Sequence, residues 1–178
     1  PSPLLGSAVL ATTLLAQTDE AELLAGLASG ARIAAVAFAG ADFADRPVTV
    51  VDGRLSGTAR FVLDGDLADD LLVVAGDGLH LVDGAAAARR HTPSMDPTRR
   101  FAEIVLDGAP ARLVRDGAAA ALQRALDVAC AVLAAEQAGA AAQALAVTVE
   151  YAGSRVQFGR PIGSFQALKH RMADIFVL

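Results

Sequence analysis

The chain begins with apolar residues at helical spacing. Residues 4–16 are small and apolar without β-branched enrichment, which predicts a helix. Residues 18–20, Thr-Asp-Glu, suit the first turn of a second helix, because a hydroxyl and carboxylates satisfy or complement the free N–H groups there. We predict that this helix runs to about Ala28 and ends at Ser29-Gly30.

From residue 31 the pattern changes to short apolar runs of strand length. Several of these runs are β-branched, and Asp-Gly pairs separate them as tight turns do. Many short strands at close spacing indicate an antiparallel barrel or sandwich. The predicted strands cover residues 32–38, 48–51, 54–56, 60–63, 71–75, 79–82 and 101–106.

After Gly117 the helical period returns, with apolar residues at i, i+3 and i+4. We predict one long helix to about Ala152, then an interruption with the sequence RVQFGRPIG, then a second helix from Ser164. The chain is therefore predicted to be an α+β protein. Its predicted parts are helices over 1–30, a β-domain over 31–116 and a helical hairpin over 117–178.

Composition narrows the class of protein. The net charge is −5 and no basic block is present, so nucleic acid is not an expected partner. A single cysteine, Cys130, cannot form an internal disulfide, which fits a reducing compartment and a cytoplasmic protein. Because Cys130 lies in an apolar helical run, we expect it to be buried.

The apolar stretch from Gly117 to Ala146 resembles a membrane span in length. It carries Arg124, Asp127 and Glu136, which favours a helix packed in water, so no membrane span is predicted. The chain starts abruptly and stops inside an apolar helical pattern, and we expect it to be a fragment of a longer protein.

Candidate chemistry concentrates around the interruption between the two C-terminal helices. Arg155 and Gln157 stand beside a Phe158-Gly159 turn, and Gln166 lies near the start of the next helix. A guanidinium forms paired, charge-assisted hydrogen bonds with phosphate oxygens, and a helix start at Ser164 adds N–H groups. Taken singly, these residues are ordinary surface or core residues. Only their combination indicates a site for an anionic, planar ligand.

Residues 151–174 resemble the helical hairpin of flavin-dependent acyl-CoA dehydrogenases. Weaker resemblances are SMDPTRR at 94–100, the strand 55–69 and AAEQAG at 134–139. The family has an N-terminal helical domain, a middle β-domain and a C-terminal four-helix bundle. The resemblance implies that 1–30 ends the first domain, 31–116 is the second and 117–178 starts the bundle.

The family oxidises an acyl-CoA thioester at its α and β carbons, with hydride transfer to FAD. Its hairpin usually reaches FAD across a subunit interface, which implies a homo- or hetero-oligomer, and the resemblance also implies electron-transfer flavoprotein as a partner. The residues that it implies as FAD contacts are Arg155 on the pyrophosphate, Gln157 and Phe158 on the adenosine, Phe165 and Gln166 beside them, and Phe61 on the flavin.

Three departures from the family pattern leave alternatives open. The stretch 37–42 lacks the hydroxyls that the family uses to hold flavin, and Leu63 stands where the family has a threonine. No catalytic carboxylate is evident: one family position for the base falls on Ala129, and the other lies beyond Leu178. The leading prediction is an acyl-CoA dehydrogenase subunit, which is either the partner that lends FAD contacts in a mixed assembly or a divergent homodimer with altered acyl specificity. The alternatives are a non-catalytic scaffold without FAD and a relative that uses the fold for another flavin reaction, such as acyl-CoA oxidation by oxygen.

Overall fold

The computed structural model describes residues 2–42 and 45–177, which divide into two compact units, Pro1–Val132 and Leu133–Leu178. The first unit opens with a π-helical segment, Leu4–Ala11, that runs into α1 (Thr12–Leu15), as the apolar pattern predicts. Helix α2 (Ala21–Ala28) begins later than expected, because the Thr18 hydroxyl accepts from the Glu20 N–H in a turn before the helix.

Two four-stranded sheets form the body of the first unit. The first sheet has the order β1-β4-β5-β8 and the second has the order β2-β3-β7-β6. The strands are β1 (Ala34–Ala37), β2 (Val48–Val51), β3 (Arg54–Leu63), β4 (Asp70–Ala75), β5 (Gly78–Asp83), β6 (Ala88–Thr92), β7 (Phe101–Pro110) and β8 (Arg112–Asp116). The two strands predicted at 54–56 and 60–63 are therefore one continuous strand.

The sheets pack face to face as a sandwich. Neither described sheet closes on itself, so the barrel alternative is wrong and the sandwich alternative is confirmed. The expected antiparallel pairing holds except for β1, which pairs parallel with β4, Ala34 opposite Asp70. The reason is topological: β2 and β3 belong to the other sheet, and the chain returns to the first sheet in the direction of β1.

Two apolar cores stabilise the first unit. One lies between the sheets and includes Leu55, Leu71 and Ile104, all fully buried. The other lies between the first sheet and the helices, where Leu14 packs in one cluster with Leu122 from the start of α3 (Ala118–Ser154). Each fully buried side chain of this size contributes about 1.5–3 kcal/mol, so these cores fix the strands that carry the candidate residues.

The second unit contains the rest of α3, a two-stranded hairpin of β9 (Val156–Gln157) and β10 (Arg160–Pro161), and α4 (Gln166–Val177). By length and composition alone α3 could cross a membrane, although the core helix of a soluble protein has the same properties. Cys130 on α3 is exposed, so the prediction of its burial is wrong. Its neighbour Ala129 still packs partly against the core of the first unit, so Cys130 lies on the exposed side of the helix.

Candidate functional site

The candidate site is the hairpin that joins α3 to α4. The Ile162 N–H donates to the Arg155 carbonyl at 2.8 Å and closes the base of the hairpin. Phe158 and Gly159 form its two-residue turn, with φ of 53° and 76°. Positive φ at both positions is the type I′ geometry, whose twist matches that of paired strands.

Phe158 is the unusual residue of this turn. Asn, Asp or Gly normally occupies such a position, because a bulky side chain at positive φ is strained. The Phe158 side chain is nevertheless 91% exposed, so burial of its ring in this chain does not offset the strain. Strain of this kind persists where function requires it, which marks the ring as a candidate contact for a ligand.

A small cluster of aromatic and cationic groups surrounds the turn. The Phe158 and Phe165 rings meet edge to face, with centroids 6.1 Å apart. The Arg160 guanidinium carbon lies 4.2 Å from the centroid of the Phe165 ring, a cation–π contact. Arg160 was not among the contacts predicted from the sequence. Its position opposite Gln157 follows once Phe-Gly is recognised as a two-residue turn.

The polar candidates lie on the same short segment. Arg155 directly follows α3, Gln157 ends β9 and Gln166 begins α4, and all three are exposed. Within the described part of the chain, the Arg155 guanidinium makes no hydrogen bond or ion pair. Its donors are therefore free for an oxyanion. Five of the six predicted contacts lie within residues 155–166, and the structure shows Phe158 and Phe165 in contact with each other.

The start of α4 adds further donors. The helix begins at Gln166, two residues later than predicted, because Ile162–Ser164 forms a 3₁₀ turn first. The first N–H groups of any α-helix have no partner inside the helix and carry its positive dipole end. The Ser164 hydroxyl is also buried with no hydrogen-bond partner among the described groups.

Gly163 fixes where the hairpin lies on α3. A Cβ at this position would come within 2.9 Å of the carbonyl oxygen of Ala152. Only glycine allows the 3₁₀ turn after β10 to approach the helix backbone this closely. Ala152 is itself buried, so the contact positions the hairpin on the last turn of α3.

The sixth predicted contact, Phe61, belongs to the first unit. It lies in β3 where the pairing with β7 is interrupted by a bulge, at φ 54° and 57% exposed. The N–H of Arg60 donates to the Ala39 carbonyl at 2.9 Å, which ties this bulge to the loop after β1. That loop is part of the stretch 37–42, which lacks hydroxyls in this chain. Bulges commonly aim side chains at sites, and this one turns Phe61 towards solvent.

The other two positions that differ from the family pattern, Leu63 and Ala129, can also be located in the structure. The Leu63 side chain lies beside Gly6 of the π-helical segment, and it has no hydroxyl to offer a flavin. Ala129 packs partly buried against the core under the first sheet, so no carboxylate occupies that position. No cluster of three or more metal-ligating side chains occurs in the described ranges 2–42 and 45–177.

Two carboxyls with shifted pKa values lie at the end of β3. Burial raises the pKa of Asp64, with the nearby Asp66 charge adding to the effect. The hydrogen bond from Arg100 lowers the pKa of Asp66. Both carboxyls belong to the first unit and bear on its stability.

Comparisons with known proteins point to the same family as the hairpin sequence. Residues 115–177 match the sequence model of a family described as "Acyl-CoA dehydrogenase, C-terminal domain". Acyl-CoA dehydrogenase IpdE2 of Mycolicibacterium smegmatis is 41% identical over 177 residues, which cover 99% of this chain and 48% of the relative. The chain thus spans about half the length of the curated relatives it matches.

Solved structures show the same arrangement. A variant of the Tcur3481-Tcur3483 steroid ACAD superposes with a TM-score of 0.81 at 35% identity, over 99% of this chain and 52% of that chain. The ChsE4-ChsE5 complex from Mycobacterium tuberculosis gives a TM-score of 0.81 at 32% identity, over 98% and 52%. The α+β order of helices, sandwich and helices is therefore shared with both.

Proposed function

Since the chain belongs to the acyl-CoA dehydrogenase family, we propose that it takes part in the α,β-dehydrogenation of an acyl-CoA thioester. FAD, when bound, supplies the ring that accepts the β-hydrogen as hydride. The contribution of this chain is to hold the cofactor through the hairpin between α3 and α4. The strained, exposed Phe158 beside free donors is the observation that carries this proposal.

The side chains of the hairpin have the functional groups needed to bind FAD. The free guanidinium of Arg155 suits the pyrophosphate, because two parallel N–H groups match two phosphate oxygens. The Phe158 and Phe165 rings offer apolar surface to the adenine. The carboxamides of Gln157 and Gln166 can both donate and accept towards the ribose and the base.

We further propose that the chain is one subunit of a mixed assembly. Leu63 and the hydroxyl-free stretch 37–42 weaken the flavin contacts of its own β-domain, whereas its hairpin keeps a full set of donors. The similar ChsE4-ChsE5 structure is a complex of two named components. A partner subunit would then hold the flavin and supply the catalytic base. Phe61 of this chain would face a flavin. Electron-transfer flavoprotein would accept the electrons from the reduced flavin.

The central test is Arg155→Ala. Removing a charge-assisted pair of hydrogen bonds to phosphate is expected to weaken FAD binding about tenfold or more. The measurement is flavin absorbance per mole of protein after gel filtration. Arg124→Ala is the matched control, because Arg124 is also an exposed arginine, on α3 before the hairpin. If both variants retain the same flavin as the unaltered chain, Arg155 is not a cofactor contact.

The second candidate function is a scaffold of the same fold without FAD. Leu63 and the stretch 37–42 favour it, because both have lost the groups that would hold a flavin. The absorption spectrum of the protein purified with its partner separates the two candidates. A flavin band that depends on Arg155 supports the enzyme, and the absence of any flavin supports the scaffold.

A further inference from the structure

Three charged side chains form a row across the outer face of the second sheet. Glu103 on the central strand β7 accepts a hydrogen bond from Arg90 on β6, with Arg90 Nη2 2.7 Å from Glu103 Oε1. The Nε of Arg60 on β3 lies 3.5 Å from the other carboxylate oxygen. The Glu103 side chain is only 14% exposed, whereas those of Arg60 and Arg90 are 52% and 76% exposed. One largely buried carboxylate therefore contacts two exposed guanidiniums.

This row lines a cavity of about 290 Å³, which Phe61, His91, Thr92 and Pro93 complete. Two cations share one anion, which leaves a surplus positive charge at the cavity. Each guanidinium has five N–H donors. In the described part of the chain, Glu103 accepts the one side-chain hydrogen bond of Arg90 and forms the one ion pair of Arg60, so most of the donors of both side chains are unused.

The sequence next to the cavity is basic, whereas the protein as a whole is acidic. Residues 88–103 hold four arginines against two carboxylates, although the net charge of the protein is −5. Of these arginines Arg90 lines the cavity, whereas Arg89 donates to the Ala68 carbonyl and Arg100 to Asp66. Exposed ion pairs contribute little to stability, so stability alone does not account for a second cation on one carboxylate. The Glu103 carboxylate, which is largely buried, instead orients the two guanidiniums so that both can bind an external anion.

We propose that this cavity is an oxyanion-binding site, which takes one carboxylate or phosphate group between Arg60 and Arg90. The planar forks of both side chains can each give two parallel N–H groups to such an anion. Thr92 and His91 also line the cavity, although the Nδ1 of His91 lies 3.6 Å from the Asp66 carboxylate.

The test is calorimetric titration of the purified protein, in its assembled form, with sodium phosphate and separately with hexaglutamate at constant ionic strength. Arg60→Gln and Arg90→Gln are each expected to weaken binding about tenfold, the loss of a charged hydrogen-bond pair. Glu103→Gln is expected to tighten it, because the carboxamide oxygen still accepts from Arg90 while the repelling charge is gone.

Arg54→Gln is the control, since Arg54 is on the same strand but donates to the Gly108 carbonyl away from the cavity. Hexaglutamate binding tenfold tighter than phosphate, with the same dependence on Arg60 and Arg90, would assign the anion to an acidic protein segment. Comparable affinities would assign it to a small free ligand.

The proposal is overturned by three outcomes: no binding of either probe, equal losses in Arg54→Gln and Arg90→Gln, or weaker binding in Glu103→Gln. Circular dichroism melts check that each variant folds. Should a glutamine variant unfold, Arg60→Lys and Arg90→Lys replace it, because lysine keeps the charge and loses only the planar fork. Their expected loss of affinity is smaller than tenfold but measurable.

Discussion

Phe158 and Phe61 adopt a backbone conformation that bulky side chains rarely take. Both have φ near 50° and both are exposed, one in a hairpin turn and one in a bulge. Such a conformation costs on the order of 1–3 kcal/mol. Both residues were singled out from the sequence as FAD contacts, and that role stays a prediction.

Phe158→Asn separates stability from cofactor binding. Asn-Gly is the preferred type I′ pair, so the variant is expected to be more stable by about 1 kcal/mol and to melt at a higher temperature. It loses the ring, so flavin retention is expected to fall. Asp52→Asn is the control, because Asp52 occupies the corresponding position in the Asp52-Gly53 turn, with φ 49°. Unchanged flavin content in Phe158→Asn would show that the ring does not contact the cofactor.

Asp64 and Asp66 predict opposite pH effects on stability. The pKa of Asp64 is raised by burial, so its unfavourable contribution appears as the pH rises from the ordinary aspartate range through the folded-state pKa. The pKa of Asp66 is lowered by Arg100, so its favourable contribution is lost as the pH falls from the ordinary range through the folded-state pKa.

Asp64→Asn is therefore expected to raise the melting temperature at neutral pH, and Asp66→Asn to lower it. Both differences are expected to shrink below the ordinary aspartate pKa, where the carboxyls are protonated in the unfolded chain. Asparagine tolerates the positive φ of Asp64, so the backbone is unaffected. Melting curves across the acidic range test this. Asp64→Asn less stable than the unaltered chain at neutral pH would contradict the burial argument.

Helices and strands with many apolar residues were predicted from the sequence, whereas the two polar strands were not. The long helix and the strands with β-branched or apolar runs follow from their periods. Strands β6 and β8 were missed, because they read ARRHT and RLVRD and lie at sheet edges, where little burial is required. The parallel pairing of β1 depends on which sheet the intervening strands join, and no local pattern encodes that.

At the candidate site, the local features were predicted from the sequence and the tertiary contacts were not. Phe-Gly between two helical patterns predicts a turn with flanking hydrogen-bond donors, and the structure has that turn. The stacking of Arg160 on Phe165 and the approach of Gly163 to α3 depend on how the hairpin folds back. These are tertiary contacts, so the sequence alone did not reveal them.

Gly163→Ala tests how the hairpin is positioned. The added Cβ would meet the Ala152 carbonyl oxygen at 2.9 Å and its Cβ at 3.3 Å, so the hairpin must shift. A loss of about 1–3 kcal/mol and lower flavin retention are expected. Gly153→Ala is the control: it lies in α3 with no atom within 4 Å of an added Cβ, and alanine there is expected to stabilise by about 1 kcal/mol. Equal melting temperatures for the two variants would contradict the close approach.

Across the whole molecule, burial is unevenly divided. Both apolar cores belong to the first unit, whereas Ala152 is the one buried apolar residue of the described second unit. The second unit instead exposes large apolar side chains, among them Val147 and Phe176. Exposed apolar surface of this kind is typical of a contact with further protein. The three-part division into 1–30, 31–116 and 117–178 stays a prediction.

The interleaving of the two sheets has a consequence for how the protein is made. Strands of the second sheet occur in pairs between strands of the first, so β2 and β3 are made before β4, the partner of β1. Translation at about 5–20 residues per second therefore leaves β1 without its partner for a few seconds. During that interval the edge of β1 is unpaired, and a chaperone that shields it would raise the yield of soluble product.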